Sequence, residues 1–298
     1  MNLRSTVLLL CIVGLGASVA AQSLPLSTPI QTDGEKAYTF VSGVPYARGL
    51  HGDLPADLYL PQSKGMHPAV LYIHGGGWSS GSRDQLKRIA VLLANAGYVG
   101  VAIDYDLTGQ GGTFPVSLIQ AKSALRWMRA NAATYKIDIN RIAVMGSSAG
   151  GELAAEVGLT IGRKEYERGD NLEQSSAVAA VAVLNGVLDL TDPAEPAYMV
   201  DGYLGGSCKQ KPDACHQASP VFLVHPDAPP FFVGHGTADQ SVPFQQAQVF
   251  VQQLQADHVP VTPVIANGAG HTYWNDNRWF QSNVDALKSF LATSLARH

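Results

Sequence analysis

The chain has 298 residues, 46% of them hydrophobic and 15% charged, with a formal net charge of −4. That balance excludes a disordered polymer and supplies one sizeable core, near the upper limit of what a single core supports. A mildly acidic chain without a basic block gives no case for nucleic acid or an anionic membrane surface as a partner.

The first residues, Met1-Asn2-Leu3-Arg4, form a short positive region ahead of an apolar run from Val7 to Leu15. That run is too short to span a bilayer, and Gly16-Ala17-Ser18-Val19-Ala20-Ala21 follows with the small residues of a cleavage site. Together they read as a secretory signal over residues 1–21, cut after Ala20 or Ala21. Cys11 would leave with it, as would Arg4, the only charge in that segment, taking the net charge from −4 to −5. No later segment is long and apolar enough to cross a membrane, so a secreted or periplasmic protein without stable membrane association is expected.

Residues 24–60 show strand-like alternation and turns, an antiparallel entry to a sheet. Short β-rich apolar runs then recur at Val70–Ile73, Val99–Ile103, Ile142–Met145, Val178–Val183, Phe231–Val233 and Val261–Ile265, as expected of strands buried on both faces. Between them, Leu118, Ala121, Leu125, Met128 and Ala132 follow the spacing of one helix face. Ala247, Phe250, Val251 and Leu254 give another, and Val284 to Leu295 a third. Strands alternating with helices imply a mostly parallel sheet covered on both faces, in one domain over residues 22–298. Residues 187–228 break the rhythm with Pro193, Pro196, Gly205-Gly206 and Pro212, and read as a cap-like insertion over the carboxyl edge of the sheet. They hold Cys208 and Cys215, the pair left once Cys11 is removed. In an exported chain such a pair is most simply a disulfide, the rivals being a metal pair or a redox couple.

Gly146-Ser147-Ser148-Ala149-Gly150 lies between the run Arg141–Met145 and a helix-like stretch beginning at Gly151. G-x-S-x-G in that setting marks a nucleophile elbow, although the motif alone is weak. A serine hydroxyl needs a base, and the order Ser, acid, His is met by Asp239 and His271, both just beyond predicted strands. Asp189 is the rival acid but looks like a turn residue, and Asp276 falls after His271. Acyl transfer also needs donors for an oxyanion. His74-Gly75-Gly76-Gly77-Trp78 is a loop of the HGGG type, from which two of the three glycine amides, with that of Ala149, would serve. His74 and His235 read as structural, and Ser147 as pointing away from substrate. Trp78, Tyr273 and Trp274 either line a pocket or pack. The other histidines show no ligand spacing, so neither metal nor cofactor is expected.

At these residues the chain resembles the bacterial α/β-hydrolases related to hormone-sensitive lipase, and more closely their carbohydrate-esterase branch, the feruloyl or acetylxylan esterase-like BD-FAE type. The likeness runs from about residue 35 to 295. It includes His74–Trp78, Asp104-Tyr105, Phe114-Pro115, Asp138–Ala143, Gly146–Gly151, Ala218-Ser219-Pro220, His235–Asp239 and Gly268–His271. It implies an α/β-hydrolase fold with a mostly parallel eight-stranded sheet, flanking helices and a small cap. It also implies Ser148 as nucleophile, Asp239 as acid, His271 as base, and Gly75, Gly76 and Ala149 as oxyanion donors, acting on carboxylic esters without a cofactor. Polysaccharide acetyl or feruloyl esters, or small acyl esters, are the expected substrates. A peptidase or amidase on the same fold, and a non-catalytic binding protein, are the alternatives. Relatives commonly carry a basic residue where this chain has Asp106, and the glycine-rich stretch Asp106–Gly112 is expected to alter the pocket rim. The long N-terminal cap helices of the hormone-sensitive-lipase group are missing, which implies an open site.

Overall fold

The computed structural model describes residues 22–23, 38–194 and 197–297; the expected export signal, residues 1–21, lies outside them. The strands are β1 (Gln22–Ser23), β2 (Tyr38–Arg48), β3 (Asp53–Pro61), β4 (His67–Ile73), β5 (Val99–Ile103), β6 (Ile137–Ser147), β7 (Ala180–Leu184), β8 (Phe231–Gly236) and β9 (Val261–Ala266). They form one sheet in the order β1-β9-β8-β7-β6-β4-β5-β3-β2. Strands β2 to β9 are the expected eight, and β1 adds two residues in parallel to β9 at the edge. Only the β2–β3 and β3–β5 pairings are antiparallel.

The helices are α1 (Lys87–Asn95), α2 (Val116–Ala130), α3 (Ala132–Tyr135), α4 (Ala149–Leu159), α5 (Ala197–Leu204), α6 (Pro212–Gln217), α7 (Phe244–Ala256) and α8 (Asn277–Ser294). Successive strand residues point to opposite faces, so each apolar run feeds two cores. On one face Leu71, Val144, Val183 and Phe231 pack with Leu118, Leu125, Leu153 and Phe250 from α2, α4 and α7. On the other, Tyr72, Met145, Ala182 and Phe232 pack with Ile89, Leu93, Val284 and Leu287 from α1 and α8. This two-sided burial explains why the central strands are continuous apolar runs rather than alternating ones.

Two boundaries move from where patterning puts them. Helix α8 starts at Asn277, seven residues ahead of the apolar stripe, because Asp276 caps it by accepting from the Arg278 amide. Strand β6 reaches back to Ile137, whose neighbour across the ladder is His67. Residues 187–228 connect β7 to β8 and carry α5 and α6. There Cys208 and Cys215 stand with Cα atoms 5.2 Å apart, within bridging geometry.

Candidate active site

The carboxyl ends of β4, β6, β8 and β9 bring the candidate residues together. Strand β6 ends at Ser147 and α4 begins at Ala149, so Ser148 alone makes the turn, at φ 54° and ψ −126°. A non-glycine residue there costs about 1–3 kcal/mol, which the surrounding packing must offset. The flanking glycines are steric necessities. A Cβ on Gly146 would lie 1.9 Å from the Gly150 carbonyl oxygen, and one on Gly150 would lie 2.3 Å from that of Ile73.

His271 follows β9 and stands between the other two groups. Its Nε2 is 3.0 Å from Ser148 Oγ and its Nδ1 is 2.8 Å from Asp239 Oδ2. Asp239 lies in the turn after β8, where its Oδ1 accepts from the amides of Ser241 at 2.9 Å and Val242 at 3.0 Å. Burial disfavours its charge, but hydrogen bonds from His235, His271 and the Val242 amide outweigh that and hold the carboxyl well below the usual range. His235, 3.2 Å from Asp239 Oδ2 and 3.0 Å from the Val242 carbonyl oxygen, fixes the turn that presents the acid. Asn185, also at a positive φ, places its side-chain amide 3.2 Å from both ring nitrogens of His271. Equal distances put it against the ring face, so it supports the imidazole without competing for its in-plane partners.

After β4 the glycine loop folds over the elbow. His74 is buried, and burial lowers its pKa; the neutral ring bonds through Nδ1 to the Gly75 carbonyl oxygen at 2.8 Å and stacks on Tyr105 at 4.3 Å. Gly75, one of the expected oxyanion donors, has its amide turned to another partner in this structure. It donates to Gln85 Oε1 at 2.7 Å and is satisfied there, which leaves the other amides of the loop as the free donors. The amides of Gly76 and Gly77 make no hydrogen bond to the described residues, and both residues line the cleft. As the first residue of α4, Ala149 likewise has no intrahelical acceptor for its amide.

The cleft has a volume of about 390 Å³ and opens to solvent over Ser148 and His271. Tyr198 and Met199 of α5 form one wall, with Trp78, Val187, Val242 and Trp274 as further apolar lining. Trp78 also packs: its indole N–H donates to Glu152 at 2.9 Å and its ring stacks on Tyr203 at 4.4 Å. Tyr273 is buried and donates to Asn283, so it is packing rather than lining. Asp189 accepts from the Thr191 amide at 2.8 Å, as a turn residue does. Asp106 is buried and accepts from the Leu50 amide at 2.7 Å and from Gln120 at 2.5 Å, anchoring a loop. Sequence reading passed over Gln85, Asn185 and Met199, for none of them sits in a motif.

The chain matches the BD-FAE family over residues 56–254, a span that holds the glycine loop, the elbow and Asp239. Esterase LipC of Mycobacterium tuberculosis is 36% identical over 241 residues, which cover 76% of this chain and 59% of LipC. The chain thus spans little more than half the length of the curated relatives it matches. Among solved structures it is similar to a truncated carbohydrate esterase from gut microbiota, with TM-score 0.77 and 27% identity, covering 89% of this chain and 99% of that one. It is similar also to a thermophilic esterase of the Planctomycetes species Thermogutta terrifontis, Est2 with butyrate bound, with TM-score 0.75 and 27% identity, covering 86% of this chain and 95% of that one. With its family match placed on this fold, the chain belongs to the BD-FAE family of α/β-hydrolases.

Proposed function

We propose that the chain is an exported serine carboxylic-ester hydrolase that works through an acyl-enzyme. The observation that carries this reading is the unbroken line from Asp239 through His271 to a hydroxyl held at a strained strand-to-helix turn. Ser148 attacks the ester carbonyl while His271 Nε2 takes its proton, and the carbonyl oxygen becomes an oxyanion facing the amides of Gly76 and Ala149. His271 then protonates the leaving alcohol, freeing it and leaving the acyl group on Ser148. Water, deprotonated by the same imidazole, releases the acid. Asp239 remains ionised throughout, because its hydrogen bonds hold its pKa down, and it stabilises the imidazolium that forms in each half-reaction.

The favoured substrates are acetyl or feruloyl esters of plant polysaccharides, or small acyl esters. A cleft of about 390 Å³ suits a short acyl group, and its polar lining, Ser79, Ser80, Ser241 and Thr272, suits a hydroxylated alcohol. The solved neighbours support both, one being a carbohydrate esterase and the other holding butyrate. Residues 187–228 act as a small cap whose α5 walls the cleft, and a Cys208–Cys215 disulfide steadies it in an oxidising compartment. No helix among the described residues is long and apolar enough to cross a membrane.

Turnover of p-nitrophenyl acetate and labelling by a fluorophosphonate test the mechanism. Ser148→Ala is expected to lose both, with kcat down by at least about 10⁴-fold. Full activity in that variant overturns the reading. Acetylated xylan, feruloylated oligosaccharides and p-nitrophenyl esters of increasing length, assayed side by side, test the substrate class.

A further inference from the structure

Gln85 stands at the base of the cleft and takes no part in the proton transfers above. Its Oε1 accepts from two donors at once, the Gly75 amide at 2.7 Å and the Ser147 hydroxyl at 3.0 Å. A backbone N–H can only donate, so the side-chain oxygen rather than the nitrogen must face Gly75. The two donors lie on different segments. Gly75 belongs to the loop after β4, and Ser147 immediately precedes the nucleophile.

We propose that Gln85 is a positioning residue that sets the spacing between the two halves of the oxyanion site, the loop amide of Gly76 and the elbow amide of Ala149. The inference rests on the acyl-transfer reading given above. The peptide joining His74 to Gly75 is held at both ends: its carbonyl accepts from the Tyr105 hydroxyl at 3.0 Å and its N–H donates to Gln85. The next peptide has its carbonyl fixed by His74 Nδ1 at 2.8 Å. A trans peptide points N–H and C=O in opposite directions, so this fixes the Gly76 N–H as well. Without Gln85 the first plane loses one of its two anchors, and the second plane, bonded to it through Gly75, can tilt. No side chain resists that tilt. Gly75 lies so close to the elbow that a Cβ there would be 2.6 Å from the Ser147 carbonyl oxygen and 2.9 Å from Ser148 Cβ. Backbone packing thus sets how closely the loop approaches the elbow, the hydrogen bonds set how its peptide planes are oriented, and Ser147 ties the other side to the same oxygen.

The test compares the wild type with Gln85→Leu, which keeps bulk but removes the acceptor, with Ser147→Ala, and with the double variant. For each, kcat and KM on p-nitrophenyl acetate are measured, with the Ki of a trifluoromethyl ketone whose hemiketal oxyanion occupies the same donors. Gln85→Leu is expected to lower kcat about 10–100-fold with KM within about twofold, and to raise Ki by the same factor as kcat falls. Ser147→Ala should shift both about threefold in the same direction, and the double variant should be no worse than Gln85→Leu, since one acceptor serves both donors. Unchanged kcat and Ki in Gln85→Leu, a rise in KM at constant kcat, or additive losses in the double variant would each overturn the proposal. Should Gln85→Leu not fold, Ser147→Ala decides: parallel shifts in kcat and Ki support the proposal, and unchanged values overturn it. A wild type that neither cleaves the ester nor takes a fluorophosphonate sinks the acyl-transfer reading itself. A wild type that does both, matched by Gln85→Leu, sinks only this inference.

Discussion

Ser148 is held at φ 54° and ψ −126°, a backbone that favours glycine, and only its hydroxyl justifies a side chain there. Ser148→Gly and Ser148→Ala both remove the proposed nucleophile, but alanine keeps the strain and glycine relieves it. Ser148→Gly is therefore expected to unfold at higher denaturant than Ser148→Ala, by about 1 kcal/mol after glycine's greater unfolded-state entropy is set against the relief. Equal midpoints in urea would show that the turn stores no strain. The three residues meeting at this turn are legible in the sequence for a physical reason: serine, acid and base must each follow a strand, and parallel strands all end on one edge. Gln85 is not legible, because it lies in the polar run Ser82-Arg83-Asp84-Gln85 with nothing to distinguish it from a solvated loop. The same blind spot explains Gly75. A motif lists amides, but whether one is free depends on a side chain ten residues away.

Among the elements, α4 does more than follow Ser148. It carries Glu152 and Glu156 one turn apart, both fully buried, against Trp78 from the glycine loop and Tyr203 from α5. Burial and mutual repulsion push the Glu152 carboxyl far up, and burial pushes Glu156 up, so the pair retains protons that an exposed glutamate loses. Trp78, Tyr203 and Lys122 are the polar and charged neighbours that act on the pair, and Lys122 is itself committed to Thr160 and Glu167 at 2.9 Å. An acid whose pKa is raised in the folded state binds its proton more tightly than the unfolded chain does. Its contribution is complete below the ordinary value of 4.5 and declines as pH rises through the folded value. Glu156→Gln mimics the protonated form and does not titrate. It should match the wild type in urea unfolding near pH 4 and exceed it at pH 9; a variant that trails the wild type at both would show that the acid is ionised in the fold. Patterning finds α2 and α7 from their apolar stripes, and α4 from the small residues that continue past the elbow. It misses α1, whose 9 residues hold too few turns for the pattern to repeat, and the first turns of α8, where Asn-Arg-Trp-Phe-Gln-Ser-Asn carries little helix preference and is held by Trp279 and Phe280 in the core.

For the whole molecule, one sheet between two cores makes the site edge a product of global topology. Ser148, Asp239 and His271 are separated by as many as 123 positions in sequence, and only the parallel order of β6, β7, β8 and β9 brings them within hydrogen-bond reach. Stability and chemistry are consequently linked through Asp239, whose side chain is wholly buried and bonded on both oxygens. Its carboxyl titrates below the ordinary value of 3.8, so the folded state binds its proton less readily than the unfolded chain. The contribution is fully present above pH 3.8 and is lost as pH falls through the lower folded value. Asp239→Asn keeps an oxygen for the Ser241 and Val242 amides but offers the wrong group to His271 Nδ1, and is expected to lower kcat by about 10⁴-fold. It should also flatten the acid limb of the stability curve, since nothing at position 239 then protonates. Urea midpoints of the two proteins are therefore expected to lie furthest apart near neutral pH and to converge towards pH 2. Curves that stay parallel over that range would remove Asp239 as a link between the acid stability of the fold and the readiness of the site.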